Sequence, residues 1–255
     1  RNTYREHGWV NVIMQIAILT SAPDIIDTYL SNTILRQAML NESVLIHVID
    51  IRNHAKGNYR QIDDTPFGGG SGMILMAEPL MKAIESAFIT LGAEKENTRV
   101  IYPSPQGKVW DHKVVTENTK ADNIIFICGR YKGIDQRFID RYVTHEYSLG
   151  DFVVSNGELG TIVMVDSIVR LLPGTMNNID SALSDSFASN LLDHPHYTKP
   201  RVFNGVQVPE ILLGGNHEKI KSWRKSMAED VTKAKRPDLW KKYNKSIKQL
   251  EINHE

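Results

Sequence analysis

The stretch from Ile124 to Gly174 limits most severely what this chain can fold into. It starts as an apolar run, Ile124–Cys128, that breaks into Gly129, Arg130, Tyr131, Lys132 and Gly133. A short apolar run closed by a glycine turn is the pattern of a buried parallel strand feeding a loop. A second piece follows, with Gly150, Asp151, Asn156, Gly157 and Gly160 inside eleven residues. Glycine at that density serves left-handed backbone or close approach of the chain to something else. Ile162, Val163, Val165, Ile168, Val169 and Leu172 then trace a helical face running into Pro173-Gly174. Two glycine-rich loops and a helix are the materials of a small-molecule cradle at the C-terminal ends of parallel strands.

The rest of the chain supplies the sheet such a cradle needs. Val12–Leu19 reads as a strand, Pro23-Asp24 opens an amphipathic helix through about Leu40, and Val44–Ile51 reads as a strand buried on both faces. Together they make a βαβ unit. A polar loop, 52–65, ends in a glycine run, Phe67–Met73, which lacks the Gly-Lys-Ser/Thr ending of a phosphate loop. Because this run leads straight into a helix, Glu78–Leu91, it reads as a loop closing over a ligand rather than a linker. Arg99–Tyr102 is a third strand, ending in the proline-rigidified loop 103–107, and a polar helix follows over 111–121.

Residues 1–11 read as a leader or an expression remnant, 12–174 as the ligand-binding domain and 175–184 as a flexible polar linker. A small second domain of short helices and turns then spans 185–255. No apolar run reaches eighteen residues, no signal peptide is legible, and the single cysteine, Cys128, excludes a disulfide framework. A reducing, cytoplasmic setting is expected. Net charge is zero, but Asn216–Gln249 carries eleven Lys and Arg against four Asp and Glu. That segment is therefore +7 and the remainder −7, the asymmetry of a chain that meets a polyanion at one end. A solvated helical surface would read the same way.

The motifs, taken in order, resemble one family. They are FGGGSGM (Phe67–Met73), YPSPQG (Tyr102–Gly107), CGRYKGID (Cys128–Asp135), SLGDFVVSNGE (Ser148–Glu158) and RLLPG (Arg170–Gly174). After these come SDSF (Ser184–Phe187), LLDHPHYTKP (Leu191–Pro200), GNHEKIKSWR (Gly215–Arg224) and RPDLW (Arg236–Trp240). Over Ile16–Leu239 the chain resembles the bacterial tRNA (guanine-N1)-methyltransferases of the SPOUT superfamily. The resemblance implies an α/β parallel-sheet fold with a deep trefoil knot, plus a small, mostly helical C-terminal domain. It implies a homodimer with active sites at the interface and no membrane partner. S-adenosylmethionine is the implied methyl donor, and N1 of the tRNA guanine immediately 3′ of the anticodon the acceptor.

Guanine N1 is a poor nucleophile while protonated, so the transfer needs a base, and charge growing toward O6 needs a cation. The resemblance puts the base on Asp185 and the cation on Arg170. Read without it, Asp185 is a helix N-cap and Arg170 a partner of a helix C-terminus. The implied donor site comprises Tyr102, Ser104, Pro105, Gly129, Leu149, Gly150, Asp151, Phe152, Val153, Val154, Asn156 and Gly157. Lys199, Arg201, His196 and Arg224 would meet tRNA, mainly its phosphates.

Three positions depart from the family pattern. Lys132 stands where glutamate is usual, Ser71 where proline is common, and Asn156 where the first of two glycines is found. The glutamate is associated with catalysis and magnesium, so its reversal to Lys132 leaves a magnesium requirement in doubt. His194, His196 and His217 fit no standard ligand spacing and there is no second cysteine, so no metal site is expected. Cys128 reads as buried and inert. Two other readings stay open: a SPOUT methyltransferase acting on another RNA, and a non-catalytic RNA-binding homologue.

Overall fold

The computed structural model describes residues 13–175 and 185–252. Residues 1–11 and, apart from Thr175, the expected linker 175–184 lie outside the described residues. The chain separates into two compact units, Arg1–Ile179 and Asp180–Glu255.

Strands of the first unit are, in chain order, β1 (Met14–Thr20), β2 (Val44–Asp50), the two-residue β3 (Asp63–Asp64) and β4 (Ile74–Leu75), β5 (Thr98–Val109), β6 (Asn123–Ile127) and β7 (His145–Ser148). Helices are α1 (Pro23–Leu30), α2 (Ile34–Leu40), α3 (Ala77–Leu91), α4 (His112–Asn118), α5 (Gln136–Tyr142) and α6 (Gly157–Val169). Five strands join in one sheet of order β2-β1-β6-β5-β7, and every pairing is parallel. Alternation along β1 divides the core. Met14, Ile16 and Ile18 pack with Ile26, Leu35, Met164 and Ile168 on one face, whereas Ala17 and Leu19 pack with Leu80, Ile84 and Phe138 on the other. Both faces of the sheet are thus covered by helices, as an all-parallel sheet requires. The C-terminal ends of β5, β6 and β7 consequently open side by side, and their loops build the site.

Local chemistry corrects several sequence expectations. The expected helix from Pro23 to about Leu40 is two helices. Thr33 adopts an extended backbone and its side chain accepts a hydrogen bond from the Leu35 N–H, so it caps a new helix instead of continuing the old one. β2 is not buried on both faces: it is an edge strand paired only to β1, and Leu45 is exposed. β5 does not end at Tyr102. It runs to Val109, pairing Pro103 and then Lys108 with the same residue, Tyr147, while 104–107 loop outward. Gly107 makes the return possible, because a Cβ there would lie 2.3 Å from the main chain of Glu146 and Tyr147. β7 and α5 were not anticipated; the HEYS of β7 has none of the uniform apolar character of its neighbours.

The second unit holds a hairpin of β8 (Val202–Phe203) and β9 (Val206–Gln207) and two long helices, α7 (His217–Lys235) and α8 (Pro237–Ile252). Short helices were expected; α7 has 19 residues and α8 has 16. Asn216 caps α7 by accepting from the Lys219 N–H, and Leu239, Tyr243 and Ile247 keep helical spacing along α8. Leu191, Ala228 and Tyr243, with Trp240 and Ile247, form a small core, to which Thr232 Oγ1 ties Leu192 by accepting its N–H at 2.7 Å. All eleven Lys and Arg of the segment 216–249 are exposed.

Replacing Gly107 by Ala forces a methyl group into the β7 main chain. Urea unfolding should show a stability loss of about 1–3 kcal/mol, the usual cost of overpacking. An unchanged midpoint would mean that β5 and β7 part there without penalty.

Candidate functional site

Where β6 ends, the chain turns through Gly129–Gly133, and the Gly133 N–H donates to Arg130 O at 2.9 Å. Tyr131 sits in this turn with φ +57°, a left-handed conformation that costs a bulky residue of order 1 kcal/mol. Where β7 ends, Gly150 takes φ +143° and Ser148 Oγ exchanges hydrogen bonds with the Gly150 N–H and carbonyl, both at 3.1 Å. The chain then returns to open α6. Here the two loops are stitched together: Arg130 and Asn156 form an antiparallel bridge, and the Gly157 N–H donates to Gly129 O at 2.8 Å.

Glycine is required at this seam for steric reasons. A Cβ on Gly157 would sit 2.5 Å from Gly129 N and 2.9 Å from Gly129 O. A Cβ on Gly129 would sit 2.8 Å from Tyr102 Cε2 on its other side. The loop after β6 is therefore sandwiched between the Tyr102 ring and the first turn of α6. Burial first, and then the Glu146 charge, push the Tyr102 phenol up to about 12, so it remains a neutral hydroxyl at neutral pH.

These three loops enclose a cavity of about 290 Å³. Of the twelve residues expected to hold a ligand, Tyr102, Ser104, Pro105, Gly129, Leu149, Gly150, Phe152, Val153, Val154, Asn156 and Gly157 line it. Asp151 does not; it is exposed, because the Gly150 turn throws it outward. The cavity wall also includes Lys132, singled out in the sequence only as a departure from the family pattern, and residues that sequence reasoning left out, among them Arg130, Tyr131 and Tyr147. The last is held edge-on to Trp110, with ring centroids 4.9 Å apart. Their signal was adjacency to the glycines; nothing in residue type distinguished them from ordinary loop side chains.

Behind the wall lies Glu158, wholly buried in the first turn of α6. Thr20 Oγ1 donates to its Oε1 at 2.6 Å, and Arg130 Nε stands 3.8 Å from the same oxygen. Glu158 Oε2, Arg130 Nε and Asn156 Oδ1 are buried with no hydrogen-bond partner among the described residues. Leaving such atoms unpaired is costly, and these three are closed off behind the wall instead of open to the cavity. Cys128, fully buried beside Thr161, has its thiol pushed up by burial and then by the Glu158 charge; it is an inert packing group, as expected.

Arg170 ends α6, its N–H donating to Asp166 O at 3.0 Å. Asp185 lies in the second unit, half-buried, where it opens a run of turns through Ser189 rather than capping a helix. The N-cap reading therefore fails at Asp185, since no helix follows. Further along, the Asp193 N–H donates to Ser186 Oγ at 2.9 Å. His194 and His196 gather around Asp193, with ligating atoms of all three within 4.8 Å of one another. The spacing argument did not anticipate that cluster, which omits His217. Burial works upward on the Asp193 carboxyl, but hydrogen bonds from His196 and the His194 N–H outweigh it and hold the group below its ordinary value. His196, Lys199, Arg201 and Arg224 are all exposed.

Residues 14–242 match the model of a family described as tRNA (Guanine-1)-methyltransferase TrmD. A Listeria monocytogenes serotype 4a protein is 42% identical over 236 residues, covering 92% of this chain and 96% of its own length. A Clostridioides difficile protein is 41% identical over 231 residues, 91% and 99% of the two chains. One from Christiangramia forsetii is 46% identical over 226 residues, 89% and 98%. All three carry the name tRNA (guanine-N(1)-)-methyltransferase. With its parallel sheet, stitched glycine loops and this similarity over nearly the whole length, the chain belongs to the TrmD family of tRNA (guanine-1)-methyltransferases.

Proposed function

We propose that this protein transfers a methyl group from S-adenosylmethionine to N1 of the tRNA guanine immediately 3′ of the anticodon. The observation that carries the reading is the cavity between the loops of β5, β6 and β7, in a chain of this family. The cavity suits the donor: the glycine-rich loops wall it at Gly129, Gly133, Gly150 and Gly157, with apolar Leu149, Val153 and Val154 and the polar Ser104 and Asn156 beside them. S-adenosylmethionine supplies an already activated methyl, so the protein's part is to orient it in line with the acceptor and to manage one proton. Asp185 takes the proton from guanine N1. Arg170, at the end of α6, receives the charge that grows toward O6.

The threading of the chain into a trefoil knot is part of this reading. It is supported by the tightness with which loop passes loop, Gly157 against Gly129 and Gly107 against Glu146. The protein acts as a homodimer. Phe152, Val153, Val154, Leu159 and Val163 present an exposed apolar surface along the second loop and α6, the kind of patch that marks an interface. The division into a donor-binding domain, 12–174, a flexible linker, 175–184, and a tRNA-binding domain, 185–255, follows the same reading. In the last domain Lys199, Arg201, His196 and Arg224 meet the tRNA. The exposed cations of α7 and α8 give that domain affinity that falls as salt rises. Magnesium remains tied to Lys132: a cation on the cavity wall leaves that side without a carboxylate to bind it.

Labelled methyl from S-adenosylmethionine should enter unmodified tRNA with guanine 3′ of the anticodon and not the guanine-to-adenine tRNA. Asp185→Asn should lower kcat by about 10²–10⁴-fold, the usual worth of a positioned base, with little change in donor affinity. Donor binding without any transfer by the wild type would instead establish a non-catalytic RNA-binding protein. Gly157→Ala should weaken donor binding at least about tenfold by calorimetry, because the new methyl displaces the Gly129 main chain. Unchanged affinity would move the donor site elsewhere.

A further inference from the structure

Among the described residues, two charged ones line the cavity, Arg130 and Lys132, both cationic. Their circumstances differ. Arg130 has the buried Glu158 carboxylate behind it, so its charge is matched. Lys132 is exposed and enters no ion pair among the described residues. Among the described residues, the cavity lining therefore carries one cation without an ion-pair partner.

The lysine stem is not left to wander. The Lys132 main-chain N–H donates to Met73 O at 3.0 Å, joining the loop after β6 to the glycine run before β4. Gly72 lies so near that a Cβ there would be 3.0 Å from Lys132 Cγ and 3.4 Å from Cε. Gly72 also takes φ +97°, a conformation glycine adopts freely and other residues do not. The end of the glycine run is thus a shelf of main chain along which Lys132 lies, a feature the reaction chemistry above does not use.

S-adenosylmethionine carries three charges: a sulfonium, an α-ammonium and an α-carboxylate. An unmatched ammonium on the wall repels the first two and attracts the third. We propose that Lys132 anchors the α-carboxylate of the methyl donor, and that Gly72 is the shelf that holds its stem. This rests on the reading of the cavity as the donor site. The anchor selects donors that retain an intact amino-acid end. It holds the demethylated product at least as well as the donor, because the product keeps the carboxylate and has lost the repelled sulfonium.

The test pairs the residue with the ligand group. Wild type, Lys132→Ala and Gly72→Ala would be titrated calorimetrically with S-adenosylhomocysteine and with its decarboxylated form. Wild type should favour the carboxylate-bearing compound by about two- to fivefold, the upper part of the range for one exposed ion pair. Lys132→Ala should lose that preference by weakening only S-adenosylhomocysteine, and Gly72→Ala should reduce it by displacing the stem. A preference that survives Lys132→Ala overturns the anchor, as does an equal loss of both compounds, which would mark the lysine as packing alone. Wild type that binds neither compound overturns the donor-site reading itself, and the anchor with it.

Discussion

One short contact organises the first unit: the Gly157 N–H against Gly129 O, at 2.8 Å, with no space for a side chain on either residue. It joins the loop after β6 to the start of α6. Because those loops arise at neighbouring points of one sheet, joining them turns three separate strand ends into a walled cavity. The position of α6 follows from the same contact. With α6 fixed, Met164, Val165 and Ile168 close the core over β1 and β6, and Arg170 is delivered at the helix end. A seam of main chain thus couples the packing of the sheet to the geometry of the site.

Charge is distributed with equal economy. Glu158 enters the core only because it sits in the first turn of α6, where the helix dipole favours an anion, and because Thr20 and Arg130 meet its carboxylate. Its removal from solvent matches the Arg130 charge and leaves Lys132 as the field the cavity presents. In the second unit the cations go the other way, outward along α7 and α8, around a core of a few residues. One set of charges works at short range on a small ligand, the other at long range on a polyanion.

Much of this was legible in the sequence where local chemistry suffices. Apolar runs marked β1 and β6, the helix expected over Glu78–Leu91 is α3, and the glycine loops marked the cavity wall. What escaped depends on non-local partners. β7 is a strand because β5 returns past its bulge to pair with it, and HEYS alone does not say so. The break at Thr33 turns on a single side-chain hydrogen bond. Glu158 looks in sequence like any helix-start glutamate; only packing against Thr20 makes it a buried one. The meeting of Lys132 with Gly72 joins two motifs far apart in the chain, each of which has a local explanation by itself.

The cavity wall is bare main chain at the points where it is most crowded. A protein usually escapes a competing small molecule by exchanging a side chain that touches it. At Gly129 and Gly157 there is no side chain to exchange, and adding one breaks the seam that shapes the cavity. A compound resting on that stretch of backbone would leave the chain few single-residue routes to resistance that spare its own ligand.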